Sequence, residues 1–185
     1  MKHLPLIALL VSFANPAFSS DLLSDQTEST GLASAEDFRD YCRLAVGKWT
    51  GQVSSVASSG SVGSGNGEPQ IYNFEARMAS GDHAMIREVV GPESMSTALI
   101  FYDYSAKKIR TVYTSPTGAR SVHTIHRTDT HWVSHTRLTA PDGSKSEFNA
   151  TISFSEDGNK ETIEMRGIGQ EGSPWRQKNI WHRVD

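Results

Sequence analysis

The residues best suited to chemistry crowd into one stretch. VHTIHRTDTHWVSH, Val122 to His135, holds four of the chain's seven histidines. Three imidazoles on one surface could ligate zinc or another divalent ion, which takes nitrogen at about 2.0–2.1 Å. Thr128-Asp129 suits a two-residue hairpin turn, although Asn-Gly is the favoured pair. With that turn Arg127 faces Thr130, His126 faces His131 and Val122 faces His135. One side of the sheet then carries Val122, Thr124, His126, His131, Val133 and His135. The other carries Ser121, His123, Ile125, Trp132, Ser134 and Leu138. The Trp132 side is the more apolar and is the better inward face. Apart from Asp129, no nearby carboxylate is placed to hold the rings from behind, as ligating histidines require. The expectation is therefore geometric: His126, His131 and His135 lie together on the outside, and no metal is expected.

Other chemical signals are sparse. The chain has no G-x-S-x-G, no H-E-x-x-H, no phosphate-binding loop and no dinucleotide fingerprint. Asp103 follows an apolar run, where it would serve as a buried general base or cap the turn at Ser105; turn preferences favour the cap. Cys42 is the single cysteine, so no internal disulfide forms. It reads as a small apolar residue on a helix face rather than a reactive thiol.

The elements that must position these residues are mostly strands. Ser34 is a good N-cap and Asp37 completes a capping box. Phe38, Tyr41, Cys42 and Ala45 follow at i, i+3, i+4 and i+7, one apolar stripe on a short helix that Gly47 stops. Beyond Gly47 the helical period vanishes. Runs rich in β-branched and aromatic residues predict strands near 48–57, 70–79, 83–90, 97–104, 109–115, 119–127, 130–139, 145–155, 160–168 and 175–184. Gly, Pro, Asp, Asn and Ser clusters separate them. The one long break, the Gly/Ser-rich stretch at 58–67, reads as a mobile loop. Parallel pairing needs crossovers of a dozen or more residues, so sequential strands must pair antiparallel. About ten such strands leave two vulnerable edges unless the sheet closes. An all-β, up-and-down antiparallel barrel of about ten strands with the helix closing one end is the predicted fold. A sandwich is the alternative architecture.

YCRLAVGKWTGQV places a G-x-W element, Gly47-Lys48-Trp49, directly before the first strand, and NIWHRVD places Arg183 close to the C-terminus. This pairing resembles the calycin superfamily: lipocalins, fatty-acid-binding proteins, avidins and their bacterial relatives. ALIFYDYSAKKIRTVYTSPTG is similar to the central hairpin of uncharacterised bacterial lipocalin-like domains. The resemblance covers Ser34 to Asp185. It implies that Trp49 plugs the closed end and that Arg183 packs over it, a guanidinium plane stacking on an indole. With Trp49 inward, alternation sends Gly51 and Val53 inward, and Arg183 brings Trp181, Asn179, Gln177 and Trp175 to the same side. Tyr72, Phe74, Ala76 and Met78 share a side, as do Phe148, Ala150, Ile152 and Phe154, and Ile163 with Met165. Nitrobindin-type barrels of this superfamily bind haem through a late histidine. Here only His182 stands there, turned outward by alternation, and no cofactor is expected.

The chain has 185 residues, enough for one domain with a full core. Residues 1–19 read as a secretory signal: Lys2, the apolar run Leu4 to Phe13, too short to span a bilayer, and Ala17 and Ser19 before the cleavage point. Residues 20–33 form a polar spacer, and 34–185 form the barrel domain. The expected location is periplasmic or secreted, with no integral membrane segment in the mature chain. Removing Lys2 takes the formal charge from −3 to −4. Basic residues are scattered, at most paired as in Lys107-Lys108, so nucleic acid is excluded as a partner.

A lining of aromatic and aliphatic residues with a few polar groups suits a small apolar or amphipathic ligand. Ten strands make a barrel wide enough to leave room for one. The candidate ligand-binding residues are Tyr72, Phe74, Tyr113, Trp132, Phe148 and Trp175, with Gln177 and Asn179 orienting a polar group. Two other readings stand beside it. One is an enzyme on the same barrel, acting on a small carbonyl or lipid substrate with His123 or Asp103 as acid or base. The other is a structural envelope protein whose barrel is filled.

Overall fold

The computed structural model describes residues 31–57, 70–92, 95–168 and 174–184. The signal segment, most of the 20–33 spacer and the 58–67 loop lie outside the described residues. One helix, α1 (Ala35–Ala45), precedes ten strands: β1 (Gly47–Ala57), β2 (Gln70–Ala79), β3 (Ala84–Val90), β4 (Met95–Asp103), β5 (Lys108–Thr114), β6 (Arg120–Arg127), β7 (Trp132–Thr139), β8 (Lys145–Phe154), β9 (Lys160–Ile168) and β10 (Pro174–Val184). Each strand pairs antiparallel with its neighbours in sequence, and β1 pairs with β10, so the sheet closes into an up-and-down barrel. Closure leaves no edge strand for another chain to pair with. No helix among the described residues is long and apolar enough to cross a membrane.

Helix α1 begins as its sequence dictates. Ser34 accepts a hydrogen bond from the Asp37 backbone N–H, and the Asp37 carboxylate accepts one from the Ser34 N–H at 2.8 Å. Its apolar stripe, Phe38, Tyr41, Cys42 and Ala45, is buried against the barrel end. Ser34, Ala35, Gly47, β2–β3 and β4–β5 turns all belong to this closed end, where the chain enters β1.

The G-x-W element acquires a physical reason here. Gly47 has φ 135°, and a Cβ at that position would collide with the Arg183 guanidinium. Arg183 lies over the Trp49 ring at 4.3 Å and donates to the carbonyls of Val46, Leu44 and Gly158 at 2.5, 2.8 and 3.2 Å. The indole N–H of Trp49 donates to the Ala45 carbonyl at 3.0 Å. The last helical turn, the first strand and the last strand are thus stapled at one point.

The hairpin carrying the histidines corrects one expectation. Arg127 pairs with Trp132, not with Thr130. The turn runs from Thr128 to His131 and is closed by the Thr128 N–H donating to the His131 carbonyl at 2.8 Å, which also accepts from the Thr128 hydroxyl. A threonine that satisfies the turn with its own side chain stabilises a longer loop than Thr-Asp alone would suggest. The register moves by two residues, an even shift, so every side chain keeps its face.

Candidate functional site

The interior divides into two halves along the barrel axis. The closed half is solid. Trp49 stacks on Phe74 with centroids 5.6 Å apart, Phe74 meets Trp181 edge-on at 4.8 Å, and Tyr41 of α1 meets Trp132 at 5.3 Å. Ile100, Ile109, Ile125 and Ile152 complete this cluster, all buried. Such packing leaves no room for a ligand.

A buried ion pair is set into this plug. Arg87 on β3 and Glu161 on β9 both sit at inward positions, since Arg87 pairs with Ala76 and Ala98, and Glu161 with Phe154 and Trp181. The contact is bidentate, at 3.2 Å and 2.8 Å. The guanidinium lies 3.6 Å from the Phe74 centroid. Burial, together with the Glu161 carboxylate, pushes the Tyr41 phenol beside this pair upward.

The open half is different. Tyr72, Tyr113, His123, Phe148, Met165, Trp175 and Gln177 all point inward by register, yet each is only half-buried. Phe148 and Trp175 meet edge-on at 5.4 Å. Gln177 donates to the Asn179 side-chain carbonyl at 3.0 Å. On the opposite wall the Tyr113 hydroxyl donates to Ser96. The His123 ring is held from both sides, Nε2 with the Ser121 hydroxyl at 2.7 Å and Nδ1 with the Thr136 hydroxyl at 3.1 Å. Burial pushes the His123 imidazole down to about 4, so it is neutral at pH 7. Thr111 Oγ1 and Ser134 Oγ, at inward positions of β5 and β7, are enclosed without a hydrogen-bond partner.

The eight expected lining residues therefore separate. Tyr72, Tyr113, Phe148, Trp175 and Gln177 line the open half, and Asn179 is buried beside Gln177. Phe74 and Trp132 face inward as well but belong to the packed plug. The alternation that selected them carries no information about depth along the barrel.

The remaining candidates lie elsewhere. His126 and His135 face outward on β6 and β7, while His131 sits in the turn between them. His135 is engaged by Asn149 at 3.0 Å and Glu147 at 3.5 Å. Among the described residues no three His, Cys, Asp or Glu side chains are grouped to hold a metal ion. His182 is exposed on the outer face. Asp103 caps its turn: one oxygen accepts from the Ser105 N–H, the Ser105 hydroxyl and the Ala106 N–H, and the other from Arg110 at 2.7 Å. The Ser105 hydroxyl, that backbone N–H and Arg110 hold its carboxyl down at about 2, which removes it as a general base near neutral pH. A hollow of about 180 Å³ between α1 and the β2–β3 turn, lined by Phe38, Arg39, Asp82, His83, Tyr102 and Tyr104, falls below the about 300 Å³ of a small-molecule pocket.

Sequence reasoning missed Arg87 and Glu161. The signal was present: each shares the parity of apolar neighbours, Arg87 with Met85 and Val89, Glu161 with Ile163 and Met165. A charge on the inward side of a strand asks for a partner on another strand.

No protein-family model matches the chain, and no curated protein matches it.

Proposed function

We propose that this chain is an exported, lipocalin-like carrier or receptor for a small apolar or amphipathic molecule, held in the open half of the barrel. One observation carries the reading. The inward rings of Trp49, Phe74, Trp132 and Trp181 in the closed half are buried, whereas those of Tyr72, Tyr113, Phe148 and Trp175 in the open half keep accessible surface. In a barrel filled throughout, both sets would be buried, so the accessible set supports a lumen and weighs against a purely structural barrel. Covering about 200 Å² of apolar surface there contributes about 5 kcal/mol before ordering costs. The rings of Tyr72, Phe148 and Trp175 supply that surface, and Gln177 and Asn179 supply directional polar contacts. Export is supported by the Leu4 to Phe13 run and the small residues Ala17 and Ser19.

Catalysis is the weaker reading. Asp103 is committed to its turn, and His123 is bracketed by two hydroxyls with no carboxylate to orient it. Among the described residues the strand N–H groups are taken up by the barrel ladder rather than offered to an oxyanion.

The test is native mass spectrometry of the protein purified from its own source, followed by titration of its tryptophan fluorescence with lipids. A co-purifying mass and quenching of the half-buried Trp175 are expected. An empty protein whose fluorescence responds to none of the lipids would sink the proposal.

A further inference from the structure

Closure of the barrel removes strand edges, so a second chain can meet it only against a face. The two sides of the outer surface differ. On β7–β10 it carries charges that pair within the chain, such as Arg137 with Glu147 at 3.1 Å and Lys178 with Glu164 at 2.8 Å. The outer face of β3–β6 is apolar instead. Val90, Met95, Leu99, Val112 and Val122 stand outward there, each 40 % or more exposed.

The register lays this face out in rows. Ile86, Leu99, Val112 and Val122 are direct cross-strand neighbours and form an aliphatic band four strands wide. Such a band is contiguous, unlike surface hydrophobics scattered singly. Glu88, Thr97, Thr114 and Arg120 form the next row toward the open end. Glu88 and Arg120 mark the two margins of the face, and both are exposed. They stand three strand spacings, about 14 Å, apart. Among the described residues neither has an ion-pair partner.

We propose that the β3–β6 face joins two copies of this chain about a two-fold axis running along the strands between β4 and β5. That rotation sets β3 against β6 of the other copy and β4 against β5. Leu99 meets Val112 of the partner subunit, Ile86 meets Val122 of the partner subunit, and Glu88 meets Arg120 of the partner subunit. Every contact occurs twice, as in any isologous interface. The acid and the base that one chain leaves apart become two symmetric rim pairs around an apolar centre. An unrelated partner would need an acid and a base of its own in the reversed order; a second copy has them by symmetry. A face of four strands and about seven residues covers roughly 450 Å². A standard complex buries about 800 Å² per partner, so this dimer is a weak, reversible one. Contact through the side wall leaves the open end of the barrel clear.

The experiment is sedimentation equilibrium of the purified protein from about 1 μM to about 1 mM, the range of a weak dimer. A monomer at the low end and a dimer at the high end are expected. Arg120→Glu sets an acid against Glu88 in both contacts and should raise the dissociation constant at least about tenfold. Glu88→Arg should do the same. Combining Glu88→Arg with Arg120→Glu restores opposite charges and should return the constant to within about threefold of the native value. Both positions are exposed, so all three variants should keep the native urea midpoint, which is the control for folding. Leu99→Asp buries a charge in the centre and should stay monomeric throughout. A native chain that is still monomeric at about 1 mM would overturn the proposal. So would a double variant as weak as either single one, because the two charges would then not meet.

Discussion

Replacing Arg87 by Met tests the buried ion pair as a structural element. The Glu161 side chain is fully enclosed and receives two hydrogen bonds from Arg87. Methionine fills much of the same volume but leaves the carboxylate buried without its countercharge. Removing one partner of a buried pair costs about 3–5 kcal/mol. For a domain of this size each kcal/mol lowers the melting temperature by about 2–4 °C, so a drop of roughly 10 °C is expected. The double replacement Arg87→Met with Glu161→Leu removes both charges and should return to within about 2 kcal/mol of the native protein, since apolar substitutes for a buried pair are often neutral. Urea unfolding followed by tryptophan fluorescence measures all three proteins, with Trp49, Trp132 and Trp181 buried in the region that would loosen. A single variant that loses less than about 1 kcal/mol, or a double variant as damaged as the single, would refute the reasoning.

Four further outcomes are expected. Arg183→Ala loses three backbone hydrogen bonds and the stack on Trp49, at a cost of about 2–4 kcal/mol in the same unfolding assay; Arg183→Lys should recover only part, because an ammonium has no planar fork. Ser34→Ala removes the capping box of α1 and should cost about 1 kcal/mol. The His123 imidazole, at about 4 in the fold against about 6.5 when unfolded, favours the neutral form, so its contribution is present above about pH 6.5 and lost as pH falls toward 4. That loss is at most about 3 kcal/mol; His123→Gln should abolish that slope, and a nuclear magnetic resonance titration of the ring near 6.5 would contradict it. The Cys42 thiol, pushed up to about 12 by burial and then by the Asp82 carboxylate, should resist iodoacetamide at mildly alkaline pH in the folded protein and react once urea unfolds it.

Much of the fold was legible because its signals are local. Period-two alternation and clusters of turn residues placed all ten strands within two residues of their ends, and the Ser34 cap and four-residue stripe placed the helix. The turn after Arg127 was misjudged because Thr-Asp does not encode a loop length, and the Thr128 side chain settles it only once the strands are paired. The faces survived that error because the shift was even.

The candidate site was legible by side and not by depth. Tyr72 and Phe74 stand two residues apart on the same face of β2, yet one lines the open half and the other is sealed under Trp49 and Arg87. Arg87 and Glu161 lie 74 residues apart. By itself the sequence determined the strands, the faces and the helix stripe, since each depends on residues a few positions apart. Closure of the ring decided the rest. Only when β10 meets β1 do β3 and β9 look at each other across a shared interior, and only when α1 seals one end does that interior acquire a solid half and an open one.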